Sequence, residues 1–242
     1  MGTRAATGGV AFQRAMASAF ALGAVCFLVG PAPGYVALVG ATADAVTFFV
    51  GSVFFTIGGA LQTWQAAARR HRADDLAAVL QSAGTLFFNI STFRALQVVL
   101  ADTDYDRLVW RPDAFGSICF LASGLVAYRA SARRGWLPAR GQPGWWQPVV
   151  NLAGCVLFGI AAIAGYVVPA TGSLVDQAGA NLTTCAGAAC FLACALGSWP
   201  ARRRPSRLHH RAEPEPGPGP GPGPGPGSVE GNARSGRSGS AD

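Results

Sequence analysis

Six stretches without a charged side chain decide what this chain can become. Uncharged runs cover Ala15–Ala43, Ala45–Ala68, Leu76–Phe93, Ala114–Tyr128, Gly141–Val175 and Gln177–Ala201. A helix rises 1.5 Å per residue, so crossing ~30 Å of hydrocarbon takes about 20 residues. Five runs reach or approach that length. The shorter fourth run does so if Pro112 opens the helix and Arg129 snorkels at its far end. Only 13% of the 242 residues are charged, against the ~25% usual for soluble domains. So few charges cannot cover a soluble surface. A cytosolic enzyme domain, a disulfide scaffold and a largely disordered chain are thereby excluded. The expected fold is an all-α membrane protein, a six-span helical bundle. Its spans lie at about 12–30, 45–64, 76–98, 112–130, 148–168 and 181–199, within a transmembrane domain 12–200.

The arginines orient these spans. All 19 basic residues are Arg, and 16 of them fall on one side: in residues 1–14, 69–72, 129–140 and 202–237. The opposite loops hold Arg94, Arg107 and Arg111 together with Asp44, Asp102, Asp104, Asp106, Asp113 and Asp176. Positively charged loops stay cytoplasmic, so both termini, including residues 1–11, are expected inside a plasma membrane. Trp64, Trp145, Trp146 and Trp199 then mark inner span ends, and Tyr105, Trp110 and Tyr166 the outer ends, as an aromatic belt does. The expected partners are the bilayer itself, anionic lipid headgroups at the cytoplasmic Arg clusters, and a homo-oligomeric or other membrane-protein partner. Nucleic acid is not expected, because no aromatic residues or nucleic-acid motif interleave with the arginines. Arg4 and Arg14 before an apolar stretch and the small residues 40–45 also fit a cleaved signal peptide. The stretch is about twice the length of a signal h-region, so a first span is the expectation.

Each span repeats Gly-x-x-x-Phe: Gly23/Phe27, Gly51/Phe55, Gly84/Phe88, Gly116/Phe120, Gly154/Phe158 and Gly187/Phe191. Four residues later come Pro31, Gly59, Thr92, Gly124, Ala162 and Ala195, and all but the proline are small. Positions i, i+4 and i+8 share one helix face, so five spans present a ring between two notches. Lipid supplies no hydrophobic force between helices, and close backbone approach must drive their association. A Phe knob seated between a neighbour's small residues meets that need. The similarity among the even spans favours three tandem two-helix hairpins of like orientation. Gly51-Ser52-Val53-Phe54-Phe55 and Gly116-Ser117-Ile118-Cys119-Phe120 resemble the YrhK-like family of small bacterial membrane proteins, a two-helix unit without an assigned activity. The resemblance implies up to three such units here, with departures at Gly154-Cys155 and Gly187-Ala188, and it implies no catalytic residue.

Candidate chemistry is sparse. Cys26, Cys119, Cys155, Cys185, Cys190 and Cys194 all lie inside spans and read as small packing residues. His71, His209 and His210 lack the spacing of a metal site, and no nucleophile–base set or phosphate loop is present. No cofactor or metal is expected, and the chain is not expected to be an enzyme. Asp102, Asp104, Asp106 and Asp113 have the acidic spacing of a calcium loop, but Arg107 stands where that loop needs Gly, so an acidic outer loop is the expectation. The third span is the polar one, with Gln81, Ser82, Thr85, Asn89, Ser91, Thr92 and Arg94. Intramembrane polar groups are costly and mark function. Asn89, Arg94 and Asp113 are therefore the candidate intramembrane polar site. Asn89 would bond a neighbouring helix or line a path. Arg94 would snorkel to headgroups or pair with Asp113 or Asp44. Beyond residue 200 the chain turns Arg-rich and then alternates Pro and Gly over Pro216–Gly227, which reads as a disordered cytoplasmic tail, 201–242. The functional expectation is a non-enzymatic membrane assembly or accessory factor. The alternative is a small-solute transporter or channel using the third span.

Overall fold

A computed structural model describes residues 9–69, 71–98, 104–132 and 136–200. The expected tail, 201–242, and the first eight residues lie outside that range. Among the described residues seven helices form, six of them long and apolar enough to cross a membrane. These are α1 (Val10–Val29), α3 (Ala41–Arg69), α4 (Arg72–Ala95), α5 (Arg111–Ser131), α6 (Trp146–Ala164) and α7 (Gln177–Gly197). A short helix, α2 (Tyr35–Val39), lies between α1 and α3. The protein is a multi-pass membrane protein built as a six-helix bundle.

Several helix ends depart from the expected spans for local reasons. Pro31 follows the last turn of α1, and the chain reverses through Gly34 and Gly40 at φ +84° and +85°, a region open to glycine. Pro112 stands in the first turn of α5, as expected, but the helical backbone starts earlier. A π-helical turn, Asp106–Trp110, runs directly into α5, with the Arg111 N–H bonded to Asp106 O five residues back. Proline has no N–H and crowds the carbonyl of the preceding turn, so widening that turn accommodates it. Helix α6 stops at Ala164, short of residue 168. There the chain forms a small antiparallel hairpin, β1 (Val167–Val168) with β2 (Ser173–Leu174), pairing Val167 with Leu174. Helix α7 begins four residues before the expected 181, because the Asp176 carboxylate caps it by accepting from the Gly179 N–H at 2.9 Å.

The long helices pack in a closed ring, α1–α3–α4–α5–α6–α7 and back to α1. Three antiparallel hairpins make up this ring: α1/α3, α4/α5 and α6/α7. Inside each, the repeat glycine of one helix receives the repeat phenylalanine of the other. A Cβ built on Gly23 would sit 3.0 Å from the Phe55 ring, and one on Gly51 would sit 2.9 Å from Phe27. The corresponding distances are 2.5 Å for Gly84 to Phe120 and 3.1 Å for Gly116 to Phe88. They are 2.9 Å for Gly154 to Phe191 and 2.6 Å for Gly187 to Phe158. Six hairpin partners thus exchange one interaction, which gives the bundle an approximate threefold repeat.

All six rings converge on the centre, each no more than 6% exposed. Phe27, Phe88 and Phe158 form a triangle with centroids 5.8–6.4 Å apart. Phe191 joins Phe55 at 6.0 Å and Phe120 at 5.6 Å to form a second layer. Within the hairpins the two layers meet at 5.0–5.5 Å, mostly edge to face. Tilted and T-shaped pairs place the positive ring edge on the negative face of the next ring. The bundle axis is filled.

The second notch of the repeat does different work from the one expected of it. Gly59 faces Ser82 of α4 and Gly124 faces Cys155 of α6, so both serve the seams between hairpins and receive no ring.

Candidate functional site

The residue after each repeat glycine is small and at most 3% exposed: Ala24, Ser52, Thr85, Ser117, Cys155 and Ala188. On α3 and α5 it faces the next hairpin. Ser117 donates to Phe158 O across the α5/α6 seam at 3.3 Å. Ser52 donates to Asn89 Oδ1 across the α3/α4 seam at 2.8 Å and lies 2.9 Å from Thr92 Oγ1. Asn89 returns its amide to Thr56 Oγ1 and to Thr85 O. Further along the same seam, Thr63 Oγ1 lies 2.7 Å from Ser82 Oγ. Asn89 is therefore the centre of an interhelical clasp in which both ends of its carboxamide are engaged. This is how a polar side chain is accommodated among apolar helices.

The candidate triad does not assemble around it. Arg94 is exposed, and its guanidinium bonds only to Gln97 Oε1 among the described residues, at 3.5 Å. No described ion pair joins it to Asp113 or Asp44. Asp113 lies instead near Tyr105. Burial first, and then that carboxylate, push the Tyr105 phenol above its ordinary pKa. The acidic loop also turns to local partners: Asp104 pairs with Arg107 at 3.3 Å and Asp106 with Arg111 at 2.9 Å. Asp102 lies outside the described residues. No group of three or more His, Cys, Asp or Glu among the described residues is placed to hold a metal.

The feature that sequence reasoning missed is a vestibule at the arginine-rich end of the bundle. It has a volume of about 700 Å³, inside the ~300–1,000 Å³ range of small-molecule sites. Its floor is the layer of Phe55, Phe120 and Phe191, joined by Phe20. Its wall carries six carboxamides: Gln62 and Gln65 of α3, Gln81 of α4, Gln142 of the loop before α6, and Gln147 and Asn151 of α6. Ser123, Ser131, Ser198 and the Tyr128 phenol add hydroxyls. Among the described residues the charged lining groups are Arg69 and Asp74, both exposed at the helix ends that form the mouth. One signal for this site was present in the repeat. Phe20, Gln81 and Asn151 occupy the same position, three residues before their glycines, on three helices that run in the same direction. Such a register becomes a site only when the three hairpins close into a ring.

The chain matches no protein-family model, no curated protein and no solved structure.

Proposed function

We propose that this protein is a non-enzymatic assembly or accessory factor of the plasma membrane, with both termini cytoplasmic and a bundle that does not conduct. The observation that carries this reading is the double layer of six phenylalanines across the axis. A channel on that axis would have to separate rings that are each held by a glycine notch on the facing helix. Asn89, the polar group best placed to line a path, has its carboxamide engaged by Ser52 and Thr56 of α3 and by Thr85 O of its own helix. The orientation rests on the arginine count, and the same clusters supply the sites for anionic headgroups. Three equivalent hairpins, each joined by a Gly–Phe exchange, support the reading of the chain as YrhK-like two-helix units in tandem.

The test is flux through proteoliposomes. Potassium and glycerol should equilibrate no faster than through protein-free vesicles of the same lipid. Faster, protein-dependent equilibration of either would sink this proposal and favour the second reading. That reading, a small-solute transporter, draws on one observation: Gln81 of the polar third span lines a vestibule that reaches the plug from one side.

A further inference from the structure

We infer that the vestibule is a binding site for an uncharged small solute that is dense in hydrogen-bonding groups and has one apolar face, such as a sugar, a polyol or a cyclic amide. The inference goes beyond the closed-bundle reading, because a dead-end site fills and empties without any movement of the plug.

The chemistry of the wall selects this class. A carboxamide offers two donors and an acceptor without a net charge. Six of them converge from α3, α4, α6 and the loop before α6 on one cavity. Among the described residues, no partner engages the carboxamides of Gln62 and Gln81. Asn151 reaches only the Cys155 sulfur, at 4.0 Å, and Gln147 makes one long contact, 3.4 Å to Ser198 Oγ. These groups contrast with Asn89, whose carboxamide is satisfied by the clasp. These side chains are half-buried on the wall of a cavity that opens at its mouth, so water or a ligand takes up the hydrogen bonds that the protein leaves unmade. Among the described lining residues a charged ligand would find no counter-charge below the mouth, and its lost hydration would go uncompensated. A wholly apolar ligand would leave the carboxamides of Gln62 and Gln81 unpaired. The floor asks for the complementary feature. Phe55, Phe120, Phe191 and Phe20 offer apolar ring surface, against which the face of a pyranose or a nucleobase-like ring is removed from water. Gln81 and Asn151, one turn above Phe120 and Phe191 and level with Phe20, lie on separate hairpins and are placed to grip the ligand's edge from two directions.

The experiment uses the full chain in nanodiscs. Ala127, on the vestibule wall, is replaced by Cys as a reporter. Its modification by the neutral reagent methyl methanethiosulfonate is followed by peptide mass spectrometry, which separates it from the native cysteines. The probes are glucose, xylitol and uracil at millimolar concentration, each beside a charged counterpart: glucosamine, gluconate and orotate. The expected result is that the reporter reacts and that at least one neutral probe slows it several-fold and saturably. The charged counterparts should not protect. Gln81→Leu/Asn151→Leu should abolish protection while the reporter still reacts at its unprotected rate, which shows the fold intact. If that double variant fails to accumulate, Gln62→Leu carries the same expectation as a partial loss. An unreactive reporter, the absence of protection by all three neutral probes, equal protection by charged counterparts, or protection that survives these substitutions would each overturn the inference. None of these outcomes depends on the flux assay.

Discussion

Gly84→Ala isolates the interaction that holds each hairpin together. A methyl group at Gly84 would sit 2.5 Å from Phe120 Cδ1, 2.8 Å from Cε1 and 3.0 Å from the Gly116 carbonyl oxygen. Neither neighbour can yield easily. Phe120 is 2% exposed and touches Phe88, Phe158 and Phe191, while the carbonyl belongs to the facing helix backbone. Overpacking of this kind costs ~1–3 kcal/mol, and two tight contacts against immobile groups place it in the upper half of that range. Replacing a helical glycine by alanine also gains ~0.5–1 kcal/mol of backbone entropy. Gly159→Ala provides the control. It lies in α6, and a methyl there would meet nothing within 4 Å, so it should keep the gain without the clash. The difference between the two variants cancels the backbone term and should come to about 2–3 kcal/mol. Reversible unfolding of the purified protein in mixed micelles measures it. Adding Phe120→Leu to Gly84→Ala should cost less than the two single changes summed, by ~0.5–3 kcal/mol, because the shorter side chain vacates the contested space. Equal stability of Gly84→Ala and Gly159→Ala, or strict additivity in the double variant, would refute the exchange of glycine and phenylalanine as the cohesive element.

Asn89→Leu should lower stability by ~0.6–2 kcal/mol in the same assay, the range for interhelical hydrogen bonds in lipid, while Ser52 and Thr92 remain paired. No loss would remove the clasp from the account of how α3 and α4 hold together. Arg94→Lys should accumulate in membranes like the parent chain, since an exposed cation on a long stem reaches headgroups in either form. Arg94→Ala/Asp113→Asn should show no recovery over Arg94→Ala, and recovery on an immunoblot would restore a buried pair. Reporter fusions after Asp176 should read outside and those after Arg72 and Arg211 inside, and one reversed loop would break the proposed topology.

Much of this protein is local to single helices, and that part was legible in the sequence. A span needs about 20 residues free of charge whatever its neighbours do, so the six helices follow from hydropathy alone. The Gly-x-x-x-Phe register is likewise a property of one helix face, and it marked five of the six buried rings as packing residues. Phe27, whose span has Pro31 in place of a second small residue, joins them in the folded bundle. Asn89 needed only the rule that a polar group in lipid must find a partner. The pairing of faces depended on the ring. Which helix receives which phenylalanine, the closure of α1 on α7, and the transfer of Gly59 and Gly124 to the seams follow from contacts between residues far apart in the chain. No helical period records those contacts. The π-helical turn before Pro112 and the hairpin after Ala164 are local backbone hydrogen-bonding patterns that hydropathy does not register. The vestibule is the clearest case. Gln62, Gln81 and Asn151 are ordinary polar residues near span ends until three hairpins turn them onto one axis above a floor of rings. Convergence of side chains from separate helices is a property of tertiary geometry, and only the folded bundle could create it.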